Sequence, residues 1–197
     1  RKHEAEYTVE LLRALGLEPP HLLLPTVPVR PEAQAGIARM FQAAGVDGAA
    51  TVVALHPSAS DASKRWPSDR FAQLADRLIE SCGARVVLVA GPDDAPHALA
   101  VEQAMRHRPL NAAGALSVGE LAALLSRCRL LVSNDSGPVH IAAAVGTPVV
   151  ALFVRAQPGI NAARWRPLGP RHVVLDKSDP SRFTSIAELS VDEVFQA

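Results

Sequence analysis

The sequence predicts an α/β protein with a Rossmann-like, doubly wound parallel sheet. Short segments that are apolar throughout alternate with amphipathic stretches of roughly 10–15 residues, which is the pattern of βαβ units. Strands without a polar face are buried on both sides, and in a parallel sheet helices cover both sides. With 48% hydrophobic residues among 197, the chain can also form a core of the size that this fold needs.

Two helices and a linker precede the first predicted strand. Residues 4–15 carry apolar side chains at helical spacing, and Gly16 ends the pattern. Prolines between residues 19 and 31 predict an extended linker, and a second helix covers about residues 32–44. We therefore divide the chain into an interdomain helix with a proline-rich linker, residues 1–31, and a Rossmann-like domain, residues 32–197.

The alternating elements follow. The predicted strands are residues 51–55, 85–90, 110–112, 130–133, 148–153 and 172–175. The predicted helices begin with Ser68 as N-cap, at Asp94 with Pro96, after Ser117, near residue 137 and near residue 191. Ser117 and Glu120 also have the spacing of a capping box.

Composition and charge exclude several classes of protein. The 20 basic and 20 acidic residues cancel, so no overall field favours nucleic acid. Cys82 and Cys128 match no metal or redox spacing, and because each ends a helical pattern we expect both to be buried and reduced. No apolar run approaches the ~20 residues of a membrane span and no signal peptide is present, so we expect a cytoplasmic protein. The chain begins at Arg1 inside a helical pattern, and we expect an N-terminal portion before it.

The turn after the first strand, residues 56–67, is the first candidate for chemistry. Ligands of open α/β sheets bind at such strand-to-helix turns, and this one is longer than the roughly two to six residues that would close the connection. It is rich in small and hydroxyl side chains, which allow backbone N–H groups to approach an anion, and Lys64 adds a positive charge. The alternative is an ordinary exposed loop whose Trp66 and Pro67 pack on the next helix.

The second candidate is the turn from Ser133 to His140, which runs from a strand directly into a helix. Ser136 and Gly137 leave the start of the helix unobstructed, so its free N–H groups and dipole suit a phosphate. Asp135 is better suited to accept hydrogen bonds from sugar hydroxyls. The alternatives are that Asp135 and Ser136 only cap the helix, and that His140 is a core histidine.

Absent patterns narrow the function further. The sequence has no Gly-x-Gly-x-x-Gly and no Walker pattern, which disfavours dinucleotide-binding dehydrogenases and P-loop proteins. It has no Asp-x-Asp triplet and no cluster with metal-ligand spacing, which disfavours a metal-dependent transferase. It also lacks the Gly-x-Ser-x-Gly of serine hydrolases. We expect neither a metal nor a cofactor.

Together the two turns resemble the C-terminal domain of glycosyltransferase family 9, the ADP-heptose:lipopolysaccharide heptosyltransferases. The resemblance covers nearly the whole chain and rests on these residues: Lys64, Trp66, Pro67, Gly91, Asp135, Ser136, Gly137, His140 and the segment 142–153. It implies the C-terminal half of a glycosyltransferase B architecture, which holds the nucleotide sugar. Three features depart from the family pattern: Ser58 in place of a usual glycine, Val154 in place of a frequent one, and the loop that begins at Arg155.

The resemblance also implies roles for individual residues. Lys64 would contact the donor diphosphate and stabilise the leaving group, and Ser58, Ala59 and Ser60 would line the same loop. Asp135 would bind the transferred sugar, while Ser136, Gly137 and Pro138 would place helix N–H groups on the phosphates with support from His140. Leu116 would pack on the base, although its place before Ser117 also fits a hydrophobic staple onto Leu121.

The expected function is therefore that of a donor-binding domain in an inverting, metal-independent glycosyltransferase of lipopolysaccharide core biosynthesis. By resemblance, the catalytic base and the core acceptor site lie in an N-terminal domain outside this chain, so the chain alone would be inactive. The expected partners are an ADP-sugar donor and, through that domain, the core acceptor, with peripheral contact to the inner face of the inner membrane and none to nucleic acid. The alternatives are a non-catalytic nucleotide-binding module and a transferase of the same architecture that uses another nucleotide sugar.

Overall fold

A single parallel sheet forms the centre of the computed structural model, which describes residues 2–18 and 24–197. Its strands are Val52–His56 (β1), Arg85–Leu88 (β2), Leu110–Asn111 (β3), Leu130–Asn134 (β4), Val149–Phe153 (β5) and His172–Asp176 (β6). They lie in the order β3-β2-β1-β4-β5-β6, and every neighbouring pair is parallel. The predicted doubly wound parallel sheet is confirmed.

Helices flank the sheet. They are Glu4–Ala14 (α1), Pro31–Ala43 (α2), Ser68–Cys82 (α3), Ala95–Ala104 (α4), Val118–Leu125 (α5), Gly137–Ala144 (α6), Ala162–Trp165 (α7) and Val191–Gln196 (α8). All but α7 were predicted; its four residues are too few to show a helical period. Short 3₁₀ turns at 62–64, 92–94 and 186–188 complete the connections.

Two apolar clusters cover the two faces of the sheet, as continuous apolar strands require. Alternate residues of β1 point to opposite sides: Val53 and Leu55 join one cluster, and Val52 and Ala54 join the other. The first cluster receives Phe71 and Leu74 of α3 among its largest members, and the second receives side chains of α2, α5 and α6. Side chains from helices therefore pack on both faces of the sheet, in which β1 and β4 are neighbours.

Two predictions about helix α3 are wrong. Ser68 is its first residue, not its N-cap; Pro67 takes that position, and its carbonyl accepts the N–H groups of Arg70 and Phe71. Cys82 is exposed, because the buried face of α3 ends at Leu78, one turn earlier. Cys128 is buried as predicted, and burial raises the pKa of its thiol to about 12.

The capping box at α5 is confirmed. The Ser117 hydroxyl accepts the Glu120 N–H at 3.3 Å, and the Glu120 carboxylate accepts the Ser117 N–H at 2.9 Å. These two bonds satisfy donors that the first turn of a helix otherwise leaves without partners. Local sequence was sufficient to predict this start, since both partners lie within one turn.

The segment before α2 is only partly described. Residues 19–23 of the predicted linker lie outside the described residues, and residues 24–30 form neither helix nor strand. Val27 N–H donates to the carbonyl of Ala144 at 3.2 Å, and His3 Nε2 lies 2.8 Å from the carbonyl oxygen of Arg166. The division at residue 31 stays a prediction. No helix within the described ranges has the length and apolarity needed to cross a bilayer.

Candidate nucleotide-sugar site

Neighbouring strands bring the two predicted turns together. β1 and β4 are adjacent, with Leu55 opposite Val132 and His56 opposite Ser133. Their carboxyl ends therefore meet at one edge of the sheet, where ligands of this fold bind. Lys64 Nζ donates to the backbone carbonyl of Asp135 at 2.9 Å and lies 3.3 Å from its carboxylate. The two side chains are only 12% and 14% exposed, so the pair occupies a sheltered position.

The loop that carries Lys64 is held by its own polar groups and by one large anchor. Asp61 accepts from Ser63 N–H at 2.8 Å, which starts the 3₁₀ turn 62–64. Arg65 Nε donates to the carbonyl of Ala59 at 2.8 Å. Trp66 is buried edge-on against Phe71, with ring centroids 5.0 Å apart. Trp66 therefore packs on the next helix as expected, and the same loop brings Lys64 to the second turn.

The N-terminus of α6 has no side-chain cap. Ser136 occupies the N-cap position, but its hydroxyl forms no bond to the helix. That hydroxyl lies 3.1 Å from the carbonyl of Asn134, 3.1 Å from His56 Nδ1 and 3.2 Å from Ser133 Oγ. The interpretation of Asp135 and Ser136 as simple caps is wrong, because buried polar neighbours hold the serine hydroxyl away from the helix.

Gly137 leaves this helix start open. Its N–H has no acceptor among residues 2–18 and 24–197. A Cβ built on Gly137 would meet no heavy atom within 4 Å outside its neighbours and the helix's own backbone. Free N–H groups at the positive end of a helix dipole attract anions, and Lys64 contacts Asp135 in the turn that leads into this helix. This arrangement suits a phosphate or diphosphate.

His56 is a neutral hydrogen-bonding group. It is 5% exposed, and burial lowers the pKa of its imidazole to about 4, although Asp94 opposes that shift. At neutral pH the ring carries no charge and can bridge the hydroxyls of Ser133 and Ser136, at 3.2 and 3.1 Å from Nδ1. His56 therefore helps to keep the Ser136 hydroxyl off the helix.

The other residues predicted for the site differ in their burial. Ser58 and Ala59 are buried at the base of the loop, and Ser58 Oγ has no hydrogen-bond partner in the described part of the chain, whereas Ser60 is exposed. Leu116 is half-buried and, like Leu121, packs against the second apolar cluster, which supports the staple interpretation.

His140 is half-buried rather than a core residue. Its ring meets that of Trp165 edge-on, with centroids 6.3 Å apart. Burial lowers the pKa of His140, His3 lowers it further, and the charge of Asp135 acts in the opposite direction. The described contact of the His140 ring is thus with Trp165 of α7.

Sequence reasoning missed three residues at this edge of the sheet. Asn134 and His56 are buried polar residues at the ends of strands whose other residues, apart from Ser133, are apolar, and the sequence could have shown that contrast. Arg155, after β5, contacts the Asp61 carboxylate and lies 3.5 Å from Ser63 Oγ. Hydrogen bonds from Ser63, together with Arg155, lower the pKa of Asp61 to about 2. In the sequence, the loop that begins at Arg155 stands out only as a departure from the family pattern, and its contact with Asp61 could not be predicted because it depends on strand order.

Comparisons with known proteins agree on one family. The model of glycosyltransferase family 9 (heptosyltransferase) matches residues 3–184. Lipooligosaccharide heptosyltransferase 2 of Haemophilus influenzae is 34% identical over 143 residues, which cover 70% of this chain and 41% of that protein. This chain thus spans less than half the length of that curated relative.

Solved structures extend the match to the whole chain. A glycosyl transferase family 9 protein from Veillonella parvula superposes with a TM-score of 0.88 at 26% identity, covering all of this chain and 58% of that one. The E. coli heptosyltransferase WaaC with ADP has the same fold, with a TM-score of 0.70 at 22% identity, covering 99% of this chain and 55% of that one.

Proposed function

Because this chain belongs to glycosyltransferase family 9, the heptosyltransferases, we propose that it is the nucleotide-sugar-binding domain of an inverting, metal-independent glycosyltransferase. The donor is an ADP-activated heptose or a closely similar sugar, and the acceptor is the lipopolysaccharide core. ADP is the ligand named for the E. coli neighbour and is part of the proposal for this chain.

One observation carries the proposal: Lys64 contacts Asp135, two residues before the uncapped and unobstructed start of α6. A diphosphate placed there receives the Gly137 N–H and the helix dipole on one side and the Lys64 ammonium on the other. When the sugar leaves, negative charge develops on the departing diphosphate, and these groups stabilise it. Pro138 suits the helix start, since a proline in the first turn removes no needed hydrogen bond.

The other residues take places around the diphosphate. The Asp135 carboxylate accepts hydrogen bonds from hydroxyls of the transferred sugar, and Ser58, Ala59 and Ser60 shape the phosphate loop. Leu116 packs on the base, on the β3 side of the site, and His140 supports the first turn of α6. Within the described ranges, no three His, Cys, Asp or Glu side chains come together as possible metal ligands.

The proton of the acceptor hydroxyl needs a base, and the proposal assigns that base to an N-terminal domain outside this chain. The match covers 41% of the H. influenzae relative, which leaves room for such a domain. Transfer then takes place in the cleft between the two domains. The proposed location is the cytoplasm, in peripheral contact with the inner face of the inner membrane.

ADP binding to Lys64→Ala tests the proposal. We expect the parent chain to bind ADP in calorimetric titrations without added divalent metal. A charge-assisted hydrogen bond contributes roughly 1.5–3 kcal/mol, so the variant should bind about tenfold more weakly or worse. Lys2→Ala is the matched control, since Lys2 is exposed and pairs with Glu10 on α1. Binding only after magnesium is added, or equal affinities for the parent and Lys64→Ala, would contradict the proposal.

A further inference from the structure

The side chain of Asn134, at the end of β4, connects the second turn of the site to the loop that carries Lys64. Asn134 ends β4 and is completely buried. Its Oδ1 accepts the N–H of Trp66 at 3.1 Å, and its Nδ2 donates to the carbonyls of Pro57 at 3.0 Å and Ser58 at 3.5 Å. One amide therefore holds both the beginning and the end of the loop that carries Lys64.

These contacts require an amide at this position. The Trp66 N–H needs an acceptor and the Pro57 carbonyl needs a donor, so only a side chain that supplies both can satisfy them. Aspartate would direct a carboxylate oxygen at the Pro57 carbonyl, and an apolar residue would leave buried backbone groups without partners.

The contact between Lys64 and Asp135 is a second link between the loop and the turn, and it differs from the Asn134 bonds because donor binding would change it. Lys64 contacts Asp135 directly, but Lys64 is a proposed ligand of the diphosphate, so that contact is exchanged when the donor binds. Asn134 is buried, and its three bonds go to backbone groups of the loop rather than to Lys64 or Asp135. We therefore expect the bonds of Asn134 to remain when Lys64 changes partner.

We propose that Asn134 is a positioning residue that holds the Lys64 loop in register with the start of α6, so that Lys64 reaches the diphosphate without reordering the loop. The inference rests on the proposed function for the identity of the ligand. The placement of Lys64 against Asp135 in the free protein does not depend on it. A held loop binds more tightly because less conformational freedom is lost on binding.

A double-mutant cycle tests whether Asn134 acts through Lys64. Asn134→Ala should weaken ADP binding about tenfold in the parent and by less than about twofold in the Lys64→Ala background. Thr147→Val is the matched control: Thr147 is also buried, and its hydroxyl donates to the Leu125 carbonyl before the amino end of β5, whereas the site lies at the carboxyl ends of the strands. The control should lose stability but keep its affinity for ADP. Equal losses in both backgrounds would show a merely structural role and overturn the inference.

A measurement on the free protein separates this inference from the proposed function. In NMR spectra without nucleotide, Asn134→Ala should shift the Lys64 Cε and Nζ resonances away from their Asp135-bound positions, and Thr147→Val should not. If the parent failed to bind ADP, the proposed function would fail while these shifts would still test the positioning. Unmoved Lys64 resonances would overturn the inference whether or not ADP binds.

The parent chain provides a readout that does not depend on the variant folding. The side-chain amide protons of Asn134 should exchange slowly with solvent, because the group is buried and bonded. Saturating ADP should move the Lys64 ammonium resonance and leave the Asn134 amide where it was. Rapid exchange of that amide, or a shift on ADP binding as large as that of Lys64, would contradict a permanent link.

Discussion

Asp135 contacts Lys64 twice in the ligand-free protein, through its backbone carbonyl and through its carboxylate. Only the second contact depends on the side chain. Since neither Asp135 nor Ser136 caps α6, a change at Asp135 removes no helix cap. Sugar recognition and charge can therefore be separated from helix stability at this residue.

Asp135→Asn should affect ADP and an intact ADP-sugar differently. Loss of a charged acceptor for sugar hydroxyls should weaken the ADP-sugar about tenfold. Removal of a negative charge beside the diphosphate removes the ion pair with Lys64 and lowers repulsion, so affinity for ADP should hold or rise. Titrations with both ligands and a melting curve check this result. Equal changes for the two ligands would argue against a sugar contact.

The neutral state of His56 gives the protein a pH-dependent stability. Burial lowers the pKa of His56 in the folded protein from 6.5 to about 4. Between pH 6.5 and 4, the His56 side chain is therefore mostly protonated in the unfolded chain and mostly neutral in the folded protein. This contribution to stability is present above pH 6.5 and is lost as the pH falls toward 4, by about 3 kcal/mol in total.

The variant His56→Asn checks the size of that effect. Asparagine keeps a donor near the position of Nδ1 but does not titrate, so urea unfolding between pH 7 and 4.5 should show a shallower loss of stability than in the parent. His172→Asn is the control for a second histidine whose pKa burial lowers. An identical pH dependence in His56→Asn and the parent would contradict the assignment to His56.

At the scale of elements, α6 differs from α5 in how its first turn is satisfied. Ser117 and Glu120 cap α5 with their own side chains, whereas the Ser136 hydroxyl is held by His56, Ser133 and the Asn134 carbonyl. The N-terminus of α5 is therefore satisfied by its own side chains, whereas α6 begins with a backbone N–H that has no acceptor among the described residues. The starts of α2, α3 and α4 also lack a side-chain cap, so what distinguishes α6 is the contact of Lys64 with Asp135 just before it.

Gly137→Ala should separate the stability of α6 from its binding. The added Cβ meets open space in the free protein, and alanine is favoured over glycine in helices by up to about 1 kcal/mol, so stability should hold or rise. The methyl group would stand beside the free N–H and weaken ADP binding. In Gly36→Ala, the control inside α2, the Cβ meets only the end of the Glu120 side chain, and affinity should not change. If Gly137→Ala bound ADP as tightly as the parent, the proposed contact between the Gly137 N–H and the diphosphate would be contradicted.

At the scale of the whole molecule, the chain matches only part of its relatives. It covers 41% of the H. influenzae heptosyltransferase and 58% of the V. parvula structure. We expect the 197-residue chain to bind an ADP-sugar without transferring the sugar, because the base and the acceptor site are proposed to lie in another domain.

A transfer assay with ADP-heptose and a lipopolysaccharide core acceptor checks this expectation. The chain alone should release no ADP above background, and a longer protein that includes an N-terminal α/β domain should be active. Lys64→Ala in the longer protein should slow transfer, since it weakens stabilisation of the leaving group. Turnover by the chain alone would show that the base lies within these residues.

The sequence by itself determined the kind of each element and where it lies along the chain. Apolar periodicity located the six strands and every helix except α7, and the capping box at Ser117 could be recognised because its partners lie within one turn. It also singled out the two turns that contain Lys64 and Asp135, since unusual residues at strand ends are visible without a structure.

Only the tertiary structure decided how those turns meet. Lys64 contacts Asp135 across 71 positions, and Asn134 holds Pro57 and Trp66 across 77 and 68. These contacts follow from the adjacency of β1 and β4, which local periodicity does not encode. The same distinction applies to the rejected capping interpretation of Ser136, because one partner that holds its hydroxyl, His56, lies 80 positions away in the sequence.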